Sequence, residues 1–293
     1  MKKYLGEIAL LITAIIWGSG FVASAVALDH YSPYQMMAIR FLVGGVILLV
    51  FFFKKLKQLN RVILLKGIFL GTILYIAFAL QTVGLQFTTP SKNAFLTAVN
   101  VVIVPFIGYL IYKKRLDRFE LVGAFLAMTG VGLLSLQDSF KLNIGDSLSL
   151  LCAVAFAFHI FYTAKYVNNE DPILLTLVQL LTAAVIGIVV IIFKGEGTMA
   201  MDKEALLPVL YLGIFSTTIA FILQTSAQKY ISETKAAIFL STESLFGMIF
   251  SVIILNEIVT TKMVLGAVII LFAIILSETK LGLAKLKVPL SNS

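Results

Sequence analysis

Long apolar runs of about twenty residues, separated by short polar stretches, make up most of the chain. A helix that crosses a membrane needs ~20 predominantly apolar residues, whereas a membrane-spanning strand needs only about ten with alternating polarity. The length of the runs therefore predicts helices. Ten runs meet this standard, at about 5–27, 34–53, 63–84, 92–112, 119–137, 145–166, 172–194, 205–227, 234–255 and 262–279.

The second half of the chain resembles the first. The hexapeptide AFALQT at 77–82 returns 143 positions later as AFILQT at 220–225. The first and sixth runs match without gaps at an offset of 139, where Gly6 corresponds to Gly145. Both matches relate one half of the chain to the other, so they indicate two copies of one structural unit.

Five runs lie on each side of the polar stretch 138–144. Because five is odd, the second copy enters the membrane from the opposite side to the first. We therefore predict an all-α integral membrane protein with ten transmembrane helices in two inverted five-helix repeats. The repeats occupy 1–137 and 145–280, and a cytoplasmic tail follows at 281–293.

The composition excludes a soluble domain. Hydrophobic residues make up 60% of the 293-residue chain and charged residues 13%, and the mean hydropathy is +1.02. A soluble domain carries about 25% charged residues. The net charge of +8 would favour nucleic-acid binding in a soluble protein, but the basic residues lie in short loops between apolar runs. They therefore indicate topology and contact with anionic headgroups of the lipid bilayer, and no nucleic-acid partner is expected.

Lysine and arginine predict the orientation. If the N-terminus is cytoplasmic, seventeen of these residues lie on the inner side and five on the outer side, while Arg40 lies within a run. Since basic loops stay in the cytoplasm, we predict a multi-pass protein of the cell (inner) membrane with both termini cytoplasmic. The alternative is that residues 1–27 form a secretory signal peptide. The gapless match of 5–27 to the mid-chain run 145–166 opposes that alternative.

Signatures of common enzyme chemistry are missing from the sequence. It has no GxxxxGK[ST] phosphate loop, no HExxH metal motif and no GxSxG nucleophile motif. Its two histidines, His30 and His159, are far apart. These observations disfavour ATP hydrolysis, metal ligation and an obvious hydrolase nucleophile. The sequence therefore predicts neither enzyme activity nor a cofactor.

Glu243 differs from the other acidic residues, which lie in loops or near the ends of runs. It lies nine residues into the 234–255 run, or about 14 Å along a helix axis and so near mid-membrane. A carboxylate there costs several kcal/mol unless it is protonated, paired or in a water-filled cavity. Glu243 is therefore a candidate for substrate contact or proton coupling. The alternative is a protonated structural carboxyl bonded to a neighbouring helix.

Polar side chains within other runs are further candidates for a cavity lining. Asn93, Thr97 and Asn100 form a polar stripe on one helix face, and the 143 offset relates Asn100 to the mid-membrane glutamate. Gln81 and Gln224 are the polar amides shared by the two copies of the hexapeptide. In each case a hydrogen bond between helices is the alternative to substrate binding.

Aromatic side chains are also candidates. Tyr75 and Phe78 precede Gln81 on one helix. Trp17 is the only tryptophan and lies well away from the interface where tryptophan concentrates in membrane proteins. His159, in the helix that repeats the first, is a candidate for a transport role. For each of these side chains, packing or hydrogen bonding inside the protein is the alternative.

Arg40, Gly67 and Gly71 have a structural interpretation. Arg40 lies about two turns into the second run, about 10 Å from its outer end. It is expected to extend outward to the interface or to bond exposed carbonyls at a broken helix. Gly67 and Gly71 form a GxxxG spacing, which is a signal for helix packing in membranes.

Three sequence elements resemble the EamA-like members of the drug/metabolite transporter superfamily. The segment WGSGFVASAVAL at 17–28 resembles the family's first-helix Trp-Gly-Ser motif, and Pro33 with the segment 38–41 resembles its Pro…Ala-X-Arg-Phe element. The segment 242–257 resembles the ninth-helix Leu-Glu-Pro…Leu-Gly-Glu pattern, with Ser244 in place of the proline. The resemblance covers about 5–280. It implies an inner-membrane exporter whose cavity is lined by helices 1, 3, 4, 6, 8 and 9.

The inverted halves predict a secondary transporter, and the resemblance implies an exporter of small metabolites such as amino acids, or of drugs. It would work by alternating access around a midplane cavity, as a monomer or a homodimer. A proton gradient is the expected energy source because Glu243 could exchange protons with either face, and facilitated diffusion is the alternative. The other hypotheses are a membrane-embedded enzyme acting on lipid-linked substrates and a non-transporting scaffold. The predicted lining consists of Trp17, Tyr75, Phe78, Gln81, Asn100, His159, Gln224 and Glu243.

Overall fold

The computed structural model describes residues 2–113, 118–135, 143–198, 203–258 and 260–279, and every regular element in these ranges is helical. The first half contains α1 (Lys2–Ala27), α2 (Pro33–Phe52), a 3₁₀ segment (Phe53–Gln58), α3 (Arg61–Leu85), α4 (Pro90–Thr97), α5 (Asn100–Tyr112) and α6 (Arg118–Ser135). The second half contains α7 (Ile144–Val167), α8 (Pro172–Lys194), α9 (Lys203–Tyr211), a π-helical segment (Leu212–Ile219), α10 (Ala220–Gln228), α11 (Glu233–Ser241), α12 (Glu243–Leu255) and α13 (Thr261–Thr279).

Eight helical stretches of the described chain are long and apolar enough to cross a membrane. They are formed by α1, α2, α3, α4 with α5, α7, α8, α9 through α10, and α11 with α12. Helices α6 and α13 lie in the two remaining predicted runs. The prediction of an all-helical membrane protein is therefore confirmed. The tail at 281–293 and residues 138–142 between the predicted repeats lie outside the described residues.

Side-chain caps fix where several helices begin. Ser32 accepts a hydrogen bond from the backbone N–H of Gln35, whose side chain accepts one in return from the Ser32 backbone N–H. Asn143 and Asp146 make the same reciprocal pair at the start of α7. Such capping boxes satisfy backbone donors that have no partner within the helix. They therefore fix the ends of the short loops that precede α2 and α7.

The Gly67 and Gly71 spacing lets α3 pack directly against α8. A Cβ atom added at Gly67 would lie 2.5 Å from the Cβ of Val178, and one added at Gly71 would lie 2.5 Å from the carbonyl oxygen of Gln179. No side chain fits at these distances. The two glycines therefore form the helix-packing surface that their spacing predicts.

Two of the predicted runs are interrupted rather than continuous. The run 92–112 is built from α4 and α5, and the run 234–255 from α11 and α12. At the second interruption the hydroxyls of Ser241, Thr242 and Ser244 each donate to the backbone carbonyl three residues earlier. The helix is thus interrupted here although Ser244 stands where the family pattern has proline.

Two ion pairs join the halves of the chain at positions related by the sequence offsets. Lys92 Nζ lies 2.7 Å from a carboxylate oxygen of Asp146, and Lys235 Nζ lies 2.9 Å from one of Glu7. Lys92 and Lys235 differ by 143 positions, and Glu7 and Asp146 differ by 139. Glu7 lies near the start of α1, whereas Lys92 follows three helical spans, so the two pairs lie at opposite ends of the helices.

Candidate functional site

A cavity lies among helices of both halves. It is lined by Trp17, Gly20, Phe21, Ser24, Arg40, Phe78, Gln81, Thr82, Leu85, Asn100, Phe156, Ile160, Ser216, Gln224, Leu240 and Glu243. Six of the eight side chains predicted from sequence are among them, and Tyr75 and His159 are not. The lining also includes Arg40 of α2, a helix outside the set that the family resemblance implies.

Trp17 connects α1 to the π-helical segment. Its indole Nε1 donates to the carbonyl oxygen of Ser216 at 2.9 Å, and its ring centroid lies 5.1 Å from that of Phe221. Gly18 allows α1 to approach α12, because a Cβ there would lie 2.5 Å from the Cβ of Phe246. The indole is thus held as a fixed wall of the cavity by one hydrogen bond and one ring contact.

The polar residues Asn93 and Thr97 of α4 form hydrogen bonds with the neighbouring helices α3 and α7. Gln81 Nε2 donates to Thr97 Oγ1 at 3.2 Å. Asn93 Nδ2 donates to the carbonyl oxygen of Gln81 and to the hydroxyl of Ser149. Asn93 and Thr97 therefore hold helices together, as the alternative interpretation of the stripe required. Gln81 does both, since it binds Thr97 and also lines the cavity.

Asn100 and Glu243 are the first residues of α5 and α12, at the two helix interruptions. Both line the cavity and are nearly fully buried. Within the described residues the Oδ1 atom of Asn100 has no hydrogen-bond partner. Backbone N–H groups at a helix start favour negative charge nearby. The two positions therefore combine a helix start, a polar side chain and access to the cavity.

Gln224 lies in the cavity wall and corresponds to Gln81 at the 143-residue offset. Its side chain is fully buried, and neither its amide nitrogen nor its oxygen has a hydrogen-bond partner among the described residues. An unpaired buried amide is costly. One turn along α10, Gln228 Nε2 donates to the carbonyl oxygen of Ile160, so this face of α10 lies against α7. Gln224 is therefore available to bind a polar group in the cavity.

Arg40 is buried rather than extended toward an interface. The residue is 2% exposed, and its guanidinium donates from Nε to Thr217 Oγ1 at 3.0 Å and from Nη2 to Ser216 Oγ at 3.2 Å. Its carbon Cζ lies 4.2 Å from the centroid of Phe78. Both acceptors belong to the π-helical segment, and π-helical turns occur frequently at functional sites.

Phe78 is the centre of an aromatic cluster in the lining. Its ring makes edge contacts with Phe41, Phe156 and Phe221 at centroid distances of 5.4, 5.2 and 6.1 Å. Edge-to-face contacts of this kind hold rings in fixed orientations. The cavity is therefore largely apolar, with a few polar groups at defined places, as is usual for small-molecule sites.

His159 and Tyr75 lie in the protein interior beside the cavity. His159 Nε2 lies 2.8 Å from Gln179 Oε1, and its ring lies edge-on to Phe221 at 5.8 Å. Its side chain is fully buried between α7 and α8. Tyr75 is nearly fully buried, and its hydroxyl has no partner within the described residues. Whether either contacts a substrate stays a prediction.

Ser216 and Thr217 were not among the candidates predicted from sequence. They orient Arg40, and Ser216 also lines the cavity. The only signal is the polar triplet 216–218 within an apolar run. A triplet of hydroxyls is unremarkable in a membrane helix, and the π-helical register that turns it toward Arg40 is not visible in hydropathy.

Comparisons with known proteins agree over nearly the whole chain. A family model described as the EamA-like transporter family matches residues 4–136 and 143–279. An uncharacterized transporter of Archaeoglobus fulgidus is 32% identical over 276 residues, which cover 94% of this chain and 86% of that protein. The uncharacterized transporter YyaM of Bacillus subtilis is 24% identical over 298 residues, which cover 97% of each.

A solved crystal structure has a similar fold. Its TM-score is 0.74 at 14% identity, and the match covers 94% of this chain and 96% of that one. At this identity the likeness concerns the fold alone. The relatives are named as transporters, which is consistent at family level with a protein that is not an enzyme.

Proposed function

We propose that this chain, which belongs to the EamA-like transporter family, is a secondary transporter that exports small metabolites, such as amino acids, or drugs. The observation that carries the proposal is the cavity beside the two helix interruptions, with Asn100 and Glu243 in its wall. Substrate sites of secondary transporters are formed near the membrane midplane by discontinuous helices. A carboxylate at such depth is costly, which supports a role in transport.

We further propose ten membrane-spanning helices in two inverted repeats, with both termini in the cytoplasm of a cell (inner) membrane. The ion pairs Lys92–Asp146 and Lys235–Glu7 support this arrangement, because the sequence offsets turn one pair into the other and the two pairs lie at opposite ends of the helices. Glycines support it too. A Cβ at Gly145 would lie 2.6 Å from the carbonyl oxygen of Gly84, and one at Gly6 would lie 3.6 Å from that of Ala227, which is the match of Gly84 at the 143 offset.

Transport would proceed by alternating access, with the two halves moving relative to one another around the cavity. Trp17 and Phe78 would provide apolar contact area for the substrate, and Asn100 and Gln224 would provide polar contacts. Glu243 would couple the cycle to a proton gradient by binding and releasing a proton in the cavity. Facilitated diffusion is the alternative to coupling. In either case the protein would act as a monomer or a homodimer.

The test is a transport assay with purified protein in proteoliposomes. A panel of radiolabelled metabolites, amino acids among them, is offered with and without an imposed proton gradient. We expect protein-dependent exchange of at least one compound, and accumulation when the gradient is imposed. Exchange without accumulation would support facilitated diffusion. No exchange of any compound by well-folded protein would contradict the proposal.

A further inference from the structure

Arg40 is a buried cation whose hydrogen-bond partners are neutral. It binds the hydroxyls of Thr217 and Ser216, and none of the ion pairs between described residues includes it. A buried charge without an opposite charge loses its hydration with little compensation. Ionisable side chains inside membrane proteins are therefore rare and are usually tied to function. The contacts of the guanidinium indicate what that function is.

Both acceptors lie in the π-helical segment, and α2 packs closely against this segment. A Cβ atom added at Gly44 would lie 2.9 Å from Cγ2 of Thr217, so no side chain fits there. The next hydroxyl, that of Thr218, donates to the carbonyl oxygen of Gly213 at 2.8 Å, five residues earlier. Five residues is the hydrogen-bond spacing of a π turn. One hydroxyl of the triplet therefore supports the π turn, and the other two bind Arg40.

The same segment binds the indole of Trp17. The carbonyl oxygen of Ser216 accepts from the indole Nε1 at 2.9 Å, while the hydroxyl of Ser216 accepts from Arg40 at 3.2 Å. A Cβ atom added at Gly20 would lie 2.8 Å from that hydroxyl oxygen, so α1 also lies directly against the segment. One residue thus contacts both the cation and the indole. A displacement of Ser216 would move the acceptor of the indole.

Aromatic rings connect the same two side chains by a second route. The ring centroid of Phe78 lies 4.2 Å from Cζ of Arg40 and 6.1 Å from the centroid of Phe221. The centroid of Phe221 lies in turn 5.1 Å from that of Trp17. The strength of a hydrogen bond depends steeply on its angle. The route through Ser216 is therefore the one that fixes the orientation of the indole.

We propose that Arg40 is a positioning residue, which acts through the π-helical segment to hold the indole of Trp17 in place as a wall of the cavity. The planar guanidinium suits this role because it presents several donors in a fixed arrangement and can bind two hydroxyls at once. The contact itself needs no substrate. Its consequence for transport, which is a fixed cavity wall for the substrate, rests on the proposed function.

The experiment uses the indole as its own probe. Trp17 is the only tryptophan of the chain, so the full protein in detergent, isotope-labelled at the indole nitrogen, gives one indole N–H resonance. Its chemical shift depends on the hydrogen bond to Ser216, and fluorescence quenching by acrylamide measures how exposed the indole is. R40Q should shift the resonance and increase quenching. Loss of hydrogen bonds to a charged group changes the ratio of released to held indole roughly 10- to 100-fold. R40K keeps the charge without the planar fork and should give a smaller shift.

Two further substitutions test the route. S216A and T217V each remove a hydroxyl that accepts from Arg40, but they keep the arginine and the carbonyl that binds the indole. The double variant should therefore reproduce the shift of R40Q. Adding R40Q to the double variant should cause no further shift, because changes on one route are not additive. A further shift of the same size would show that Arg40 acts on the indole through the rings, and it would overturn the proposal.

G130A is the matched control for lost stability. A Cβ atom there would lie 2.8 Å from the carbonyl oxygen of Gly266, in the contact between α6 and α13, and neither helix contributes to the contacts that hold the indole. G130A should unfold at a lower temperature and keep the indole signals of the unmodified protein. If these signals change as much in G130A as in R40Q, Arg40 has only a structural role and the proposal is wrong.

A folded R40Q protein with unchanged indole signals would also overturn the proposal. If R40Q fails to fold, R40K and the S216A/T217V double variant provide the test, since each should shift the resonance and unchanged signals in both would contradict the role of Arg40. Proteoliposomes that transport nothing would contradict the proposed function and leave this contact standing.

Discussion

Glu243 combines three properties at one residue: it is buried, it begins a helix, and its side chain lies in the cavity wall. A protonated carboxyl is neutral and tolerated there, whereas a carboxylate needs a positive partner. Occupancy of this position by a proton or by a cationic group would therefore change the charge of the cavity by one unit. Such a change is what a coupled transporter needs in order to link a proton to its substrate.

Replacement of Glu243 by glutamine tests the coupling. The amide mimics the protonated acid but cannot release a proton, so accumulation driven by a pH gradient should fall to the level of protein-free liposomes. Thermal unfolding should be unchanged. Exchange without a gradient should continue for substrates that do not depend on the carboxylate, while alanine should reduce both activities because it removes the hydrogen-bonding group. E204Q, at an exposed glutamate of α9, is the control. Full gradient-driven accumulation by a folded E243Q protein would rule out the coupling role.

At the scale of residues, sequence reasoning identified groups that membrane burial makes costly. Glu243, Asn100 and Gln224 all lie in the cavity wall because a polar group within an apolar run needs such a place. Sequence reasoning could not determine which way His159 points, because the apolar residues of α7 show no periodicity that singles out one face. The role of Arg40 was missed for a different reason: its partners, Ser216 and Thr217, are 176 and 177 positions away.

The contact between α3 and α8 is the helix packing that the spacing of Gly67 and Gly71 predicted. G71A should destabilise the protein by about 1–3 kcal/mol, because the added methyl group would meet backbone at 2.5 Å. Thermal unfolding in detergent measures the loss. G197A is the matched control, since nothing lies within 4 Å of a Cβ at that residue. Equal stability of the two variants would show that the helices can separate without cost.

The start of α8 allows a test of pH dependence. Burial by itself raises the pKa of Asp171. Hydrogen bonds from Lys55 and from the backbone N–H groups of Leu174 and Ile173 lower it by more, so the net pKa lies below its usual value. Stability from this group is therefore present at neutral pH and is lost as pH falls through the lowered pKa.

The corresponding variant is D171N. It should be less stable than the unmodified protein by about 0.5–1 kcal/mol at pH 7, because asparagine keeps the helix cap but loses the ion pair with Lys55 and the negative charge at the helix start. The difference should shrink as the pH falls below about 4. Thermal unfolding at a series of pH values measures it, with D29N at an exposed aspartate as control. A difference that does not change with pH would contradict the ionic contribution.

At the scale of elements, hydropathy located the helices closely. The run predicted at 172–194 is α8 with the same ends, and the run at 145–166 is α7 to within one residue at each end. The interruptions before Asn100 and at Thr242 were not predicted, because neither changes the hydropathy of its run. The π-helical segment escaped prediction for the same reason.

At the scale of the whole molecule, the orientation in the membrane can be tested directly. We expect a reporter fused after residue 293 to be cytoplasmic, because ten spans precede it, and one fused after residue 140 to be external, because five do. Paired reporters that are active only on one side of the membrane measure this. A fusion at residue 293 that reports the outer side would contradict the proposed topology. The basis for the prediction is the excess of lysine and arginine in the loops of one side.

The two ion pairs bear on how such a chain arose. Glu7 and Lys92 belong to the first half, and Asp146 and Lys235 hold the matching positions in the second. Each pair thus joins the acidic position of one half to the basic position of the other. Two copies of a single half, facing in opposite directions, would form both pairs at once, since each copy brings one acid and one base. If the halves are inverted copies, as proposed, the ancestral gene would have encoded a self-complementary subunit, and fusion of two copies would have kept contacts that separate chains could already make.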